Sequence, residues 1–162
     1  MIVFPRRLSQ DIETIYVSSE VFADQGFLPI KYTCDGFNVS PPLSLKNIPE
    51  ETQSMVVMME DLNAPIRPWT HWLVWNIPPT SKIKENFAAP MSVIGKNDFG
   101  KKKYIGPSPT TILHRYVFKV YALDELLPLK NYSTKLQVER EMSTHILGFG
   151  ELVGLYKSVK NK

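Results

Sequence analysis

Three residues whose side chains can carry or position a proton stand at the edges of apolar runs: Asp61, His71 and His114. Met55 to Met59 is an apolar run that ends two residues before Asp61, and Trp72 to Ile77 begins directly after His71. His114 opens a third run that reaches Leu123. The first two runs are joined by a proline-punctuated connection, Ala64-Pro65 followed by Arg67-Pro68-Trp69. Two strands joined this way can bring their polar ends together at one mouth of a sheet, and loops on a rigid β scaffold are where binding chemistry usually sits.

One carboxylate and two imidazoles beside Trp69, Trp72 and Tyr116 would make a pocket suited to an oxyanion. Imidazole N–H groups donate, and a rim such as Gly106-Pro107-Ser108-Pro109 can aim backbone amides at a ligand. The carboxylate cannot face a fully ionised phosphate without repulsion. It must orient a histidine, accept from a protonated phosphate oxygen, or pair with a cationic group on the ligand. The competing reading is structural, because a histidine at a strand end is commonly a hydrogen-bonded boundary residue. His145 lies within a helical pattern and reads as structural, and Cys34, with only Lys31 as a basic neighbour, reads as an inert thiol.

Two catalytic readings are weaker. A His-His-Asp set can hold zinc, but no HExxH-type spacing supports a metal site. Ser40 and Ser108 are loop serines without the glycine pattern of a nucleophile elbow. No catalytic residue, metal or cofactor is therefore assigned.

The elements that must position these residues follow from composition and period. The chain has 162 residues, 43% hydrophobic and 22% charged, which fits one globular domain over 1–162 with residues 1–11 as an N-terminal arm. Thirteen prolines against eight glycines lean toward β structure with stiff loops. A net charge of +3, with Lys101-Lys102-Lys103 read as a solvated face, lacks the aromatic and arginine stripe of a nucleic-acid binder. One cysteine excludes an internal disulfide framework and fits a reducing, cytoplasmic compartment. No signal peptide or membrane-spanning run is visible, so stable membrane insertion is not expected.

Ile15, Val17 and Ser19 alternate as a first strand, and Ile30 to Cys34 reads as a short extended piece. Ser54 to Glu60 and Trp72 to Ile77 are strands, the latter stopped by Pro78-Pro79. In His114 to Leu123, apolar residues occupy both parities, which predicts a central strand buried on both faces. Val138, Met142, His145 and Ile146 show the one helical period, with Thr134 and Gln137 as a capping box and Gly148 and Gly150 ending the helix. Leu152 to Tyr156 returns as a short strand. The fold class is mostly β, an antiparallel β-sandwich with one or two peripheral helices, including a C-terminal helix near 134–147.

Several of these stretches occur in an order that resembles the phosphatidylethanolamine-binding protein family, in its bacterial Raf-kinase-inhibitor-like branch. They are Tyr32-Thr33-Cys34-Asp35-Gly36, Asn38, Ser40-Pro41-Pro42-Leu43, Asp61 with Ala64-Pro65, and Trp69-Thr70-His71-Trp72. Asn76-Ile77-Pro78, Gly95 to Gly100, Tyr104-Ile105-Gly106-Pro107 and His114-Arg115-Tyr116 complete the series. The resemblance implies a β-sandwich of two antiparallel sheets with a small pocket for phosphate or a phosphoryl head group. Asp61, His71 and His114 would form its floor, and Pro65, Trp69, Tyr104, Gly106 and Tyr116 its wall and mouth. It also implies a binding or regulatory role, such as modulation of a kinase, and a homodimer. Alternatives are a phosphoester or other hydrolase using Asp61, His71 and His114 as acid and base, or an interaction module with a vestigial pocket. The chain departs from the pattern at Leu62 and Asn63, where a proline and a second carboxylate are usual, and at Leu45, where tryptophan is usual. It also lacks the additional glycine before His114. The neutral Asn63 is expected to make the mouth less negative.

Overall fold

The structure is a computed structural model describing residues 11–108 and 112–158. Most of the expected N-terminal arm and residues 109–111 of the loop before His114 lie outside the described residues.

The large sheet runs in the order β1 (Glu13–Thr14), β10 (Ile146–Tyr156), β9 (His114–Leu123), β5 (Ser54–Asp61), β6 (Trp69–Ile77), β8 (Val93–Ile94). A short β3 (Gly26–Phe27) also pairs with β10. The small sheet is β2 (Tyr16–Ser18), β4 (Leu43–Lys46) and β7 (Lys82–Ile83). The long pairs β10–β9, β9–β5 and β5–β6 are antiparallel, but β1 and β3 join β10 in parallel, so the large sheet is mixed rather than purely antiparallel.

Alternation decides which side chains meet. Met55, Val57 and Met59 of β5 share a face with Tyr116, Phe118, Val120 and Ala122 of β9, and pack against Ile15, Leu43, Leu45 and Ile83 beneath the small sheet. Val56, Met58, Leu73, Trp75 and Leu123 face the other way and are covered by Leu127 and by Val138 and Met142 of the α-helix α1 (Lys135–Met142). The strand beginning at His114 is thus buried on both faces, and Trp72 and Trp75 belong to opposite cores.

Three local expectations change. The capping box of Thr134 and Gln137 is present, but the helix stops at Met142 rather than near 147. His145 donates instead to Asp124, and Ile146 to Gly150 begin β10, where Gly148 and Gly150 lie inside the strand. A Cβ on Gly150 would sit 1.9 Å from the Ile15 carbonyl oxygen, so glycine there permits the close approach of β1 rather than ending a helix. Residues Ile30–Tyr32 form a 3-10 turn, not an extended piece. Finally, β6 starts at Trp69, three residues earlier than the apolar run indicates, because a β-bulge lies inside it.

Candidate functional site

That bulge builds the site. In the β5–β6 register Met59 is opposite Trp72 and Glu60 opposite Thr70, which leaves His71 as the extra residue. One extra residue reverses the parity of everything before it. Trp69 therefore lies opposite Asp61, while Trp72 and Val74 keep their places in the core between the sheets. Asp61 also faces Tyr116 across the β5–β9 ladder. The polar ends of three adjacent strands thus meet at one end of the sandwich core.

They line a cavity of about 450 Å³ together with Ala64, Pro65, Phe99 and Ser108. His114 donates from Nδ1 to Asp61 Oδ2 over 2.7 Å. The Asn63 amide donates to the other Asp61 oxygen at 2.9 Å. His71 donates from Nδ1 to the Ile105 carbonyl oxygen at 2.6 Å, and a carbonyl can only accept, so that nitrogen carries the proton. The ring of His71 packs edge-on to Tyr116 at 5.5 Å and to Phe99 at 5.0 Å, and His114 stacks on Tyr116 at 6.2 Å.

His71 is 4% exposed, and burial lowers its pKa below the ordinary imidazole value, partly offset by the Ile105 and Gly106 backbone and by Asp61 and Asp98. Tyr116 is fully buried, and burial, with Asp61 adding to it, raises its phenol pKa so that the hydroxyl keeps its proton. That hydroxyl has no hydrogen-bond partner, although buried polar groups are nearly always paired.

The structure brings together Asp61, His71, His114, Pro65, Trp69 and Tyr116. Tyr104 and Gly106 stand behind the wall instead. The Tyr104 hydroxyl donates to the Tyr32 carbonyl at 2.7 Å and its ring packs on Trp72. The Gly106 amide donates to Asn38 Oδ1 at 2.7 Å and is engaged there rather than aimed at a ligand. Both hold the 104–108 segment that carries Ile105 to His71 and Ser108 to the cavity. Asn63 does not line the cavity either; its side chain accepts from the Arg115 amide at 2.8 Å and ties the loop to β9.

Sequence reasoning missed Phe99 and the pair that presents it. Asn97 is buried, donates to the carbonyls of His71 and Lys103, and accepts from the amides of Phe99 and Lys101. Asp98 accepts from the Thr70 amide at 2.7 Å and from Arg67 at 3.0 Å. These two side chains fasten the Gly95–Gly100 turn to the bulged end of β6. Side-chain caps of this kind are the signal that Asn-Asp in a turn carries. Among the described residues no group of three His, Cys, Asp or Glu side chains is placed to hold a metal ion. Nor is any described helix long and apolar enough to cross a membrane.

Known proteins share this fold. The family profile described as phosphatidylethanolamine-binding protein matches residues 18–157. A UPF0098 protein of Pyrococcus abyssi is 44% identical over 154 residues, covering 90% of this chain and 86% of that relative. A UPF0098 protein of Methanothermobacter thermautotrophicus is 42% identical over 147 residues, covering 87% and 97%. Among solved structures, a phosphatidylethanolamine-binding protein homologue from Chlamydia trachomatis superposes with a TM-score of 0.84 at 36% identity, covering 90% of this chain and 99% of that one. YbcL of E. coli, described as a member of the mammalian family, gives 0.82 at 27% identity, covering 89% and 98%. With a family profile that matches most of its length, relatives above 40% identity and a shared fold, the chain belongs to the phosphatidylethanolamine-binding protein family.

Proposed function

We propose that the protein binds a small anionic phosphoryl group in this pocket: phosphate, a phosphoethanolamine-like head group or a phosphorylated residue. The observation that carries the reading is the convergence on one cavity of two anchored histidines, His71 held by the Ile105 carbonyl and His114 by Asp61. The volume of about 450 Å³ suits a head group, and apolar walls from Trp69, Phe99 and Pro65 surround a few convergent polar groups, as in ligand pockets generally. A regulatory role toward a kinase and a homodimeric state belong to the same proposal and rest on the family resemblance.

The test is calorimetric titration with phosphate and phosphoethanolamine, for wild type and for His71→Ala and His114→Ala. Saturable binding that both variants lose, with circular dichroism unchanged, supports the reading. No heat at millimolar ligand contradicts it.

One observation favours a second reading. Asp61 fixes His114 as it would a general base, and Ser108 shares the cavity. Steady phosphoester turnover abolished by His114→Ala would establish a hydrolase in place of a binding protein.

A further inference from the structure

Each pocket histidine has one nitrogen already engaged, His114 Nδ1 on Asp61 and His71 Nδ1 on the Ile105 carbonyl. Only Nε2 of each ring is left for a ligand. In a neutral ring whose Nδ1 bears the proton, Nε2 is a lone pair. With both rings in that form, two lone pairs and the Asp61 carboxylate would face a dianion across the cavity. Such a site repels a fully ionised phosphate monoester. It becomes complementary when a proton sits between a ligand oxygen and an Nε2, whether the ligand or the solvent brings it.

We infer that the pocket takes up its phosphate monoester together with a proton, and that it selects oxyanions able to carry that proton over those that cannot, such as sulfate esters. This rests on the phosphoryl-binding reading above. In chemical terms the dianion and one proton enter, and the bound state is a monoanion whose hydroxyl donates to the Nε2 of a neutral ring, a proton that a sulfate monoester does not have to give.

The charged and titratable groups around the rings agree with this. His71 meets Asp61 from β5, Tyr116 from β9 and Asp98 from the 95–100 turn, where Asp98 is paired with Arg67. His114 meets Asp61 and its own strand's Tyr116, while Arg115 is turned to Asn63. Cys34 bears on the Tyr116 hydroxyl from behind. Among the described residues no lysine or arginine lines the cavity to neutralise a dianion. Burial of His71 keeps that ring neutral at neutral pH.

The experiment is calorimetry with phosphoethanolamine at about pH 8, where a monoester with a second pKa of about 6 is a dianion. It is run in two buffers of different ionisation enthalpy, with ethanolamine sulfate as the comparison ligand. The apparent enthalpy should differ between buffers by the uptake of nearly one proton per ligand bound. The sulfate ester should bind at least about tenfold more weakly, the loss of one hydrogen bond to a charged group. His71→Gln, whose amide supplies a permanent donor, should reduce the proton uptake. Binding with heats independent of buffer, or equal affinity for the two esters, overturns the inference and leaves the phosphoryl pocket standing. Binding of neither ester overturns both.

Discussion

His114 reaches Asp61 over 2.7 Å, and Asp61 in turn lies opposite Tyr116 in the β5–β9 register, so one carboxylate fixes the ring whose stacking partner forms the cavity floor. The hydrogen bond sets the tautomer as well as the position. At alkaline pH both His71 and His114 should show a protonated Nδ1 and a bare Nε2 in nitrogen-correlated NMR spectra. Asp61→Asn, whose amide can accept or donate, should mix the tautomers of His114 and leave His71 unchanged. A protonated Nε2 on both neutral rings in the wild type would contradict the geometry.

Burial of His71 links the site to acid stability. Its folded pKa lies below the unfolded value of about 6.5, so its contribution is present above that value and is lost as pH falls through the folded one. Urea unfolding should therefore show stability falling from pH 7 toward acid, with a shallower fall in His71→Gln. Equal slopes for the two proteins would mean that the ring is not held neutral.

Glu60 precedes Asp61 and points to the opposite face. It is 1% exposed, with Lys119 2.8 Å and Lys135 2.6 Å from its two oxygens. Burial alone would raise its pKa, but the two ammonium groups overcome this and lower it, while the Lys135 pKa, depressed by burial, is raised on balance by Glu60. The carboxylate's contribution is thus present above the ordinary carboxylate range and lost as pH falls through its lowered value. The Lys135 contribution is lost only when pH rises through a raised lysine value. Glu60→Gln should cost about 1–3 kcal/mol at neutral pH, less than a fully buried pair because both lysines can turn to water. The deficit against wild type should shrink in acid, which urea unfolding at two pH values checks. A deficit that persists unchanged in acid would assign it to packing.

Gly106→Ala tests the wall behind the pocket. Its Cβ would sit 2.3 Å from the Tyr32 carbonyl oxygen and 2.8 Å from Asn38 Oδ1, so the 104–108 segment must shift. We expect a loss of about 1–3 kcal/mol of stability. Phosphoethanolamine affinity should also weaken, because the same segment supplies the Ile105 carbonyl to His71. Wild-type affinity in this variant would show that the anchor is dispensable.

The strands were legible where the sequence is apolar over a strand-length run, as in Met55–Met59 and His114–Leu123. The convergence of Asp61, His71 and His114 followed from their places at strand ends. The bulge at His71 was not legible, because an extra residue leaves an unbroken apolar run and announces itself only through the partner strand's register. The helix end was misplaced for a related reason. Gly148 and Gly150 look like helix stops until the Ile15 backbone is seen lying against them. Tyr104 and Gly106 carry polar or backbone groups that any pocket would use, but Tyr32 and Asn38, distant in sequence, already hold them. Phe99 went unnoticed because its placement depends on hydrogen bonds from Asn97 to backbone groups on both sides of the turn.

The most direct measurement is a phosphate titration of the wild-type protein followed through the ring protons of its three histidines. Binding at the Asp61–His71–His114 pocket should shift two of them saturably with one common affinity and leave His145, held by Asp124 and Glu125, unmoved. Shifts confined to His145, or none at millimolar phosphate, would contradict the assignment of this pocket as the anion site.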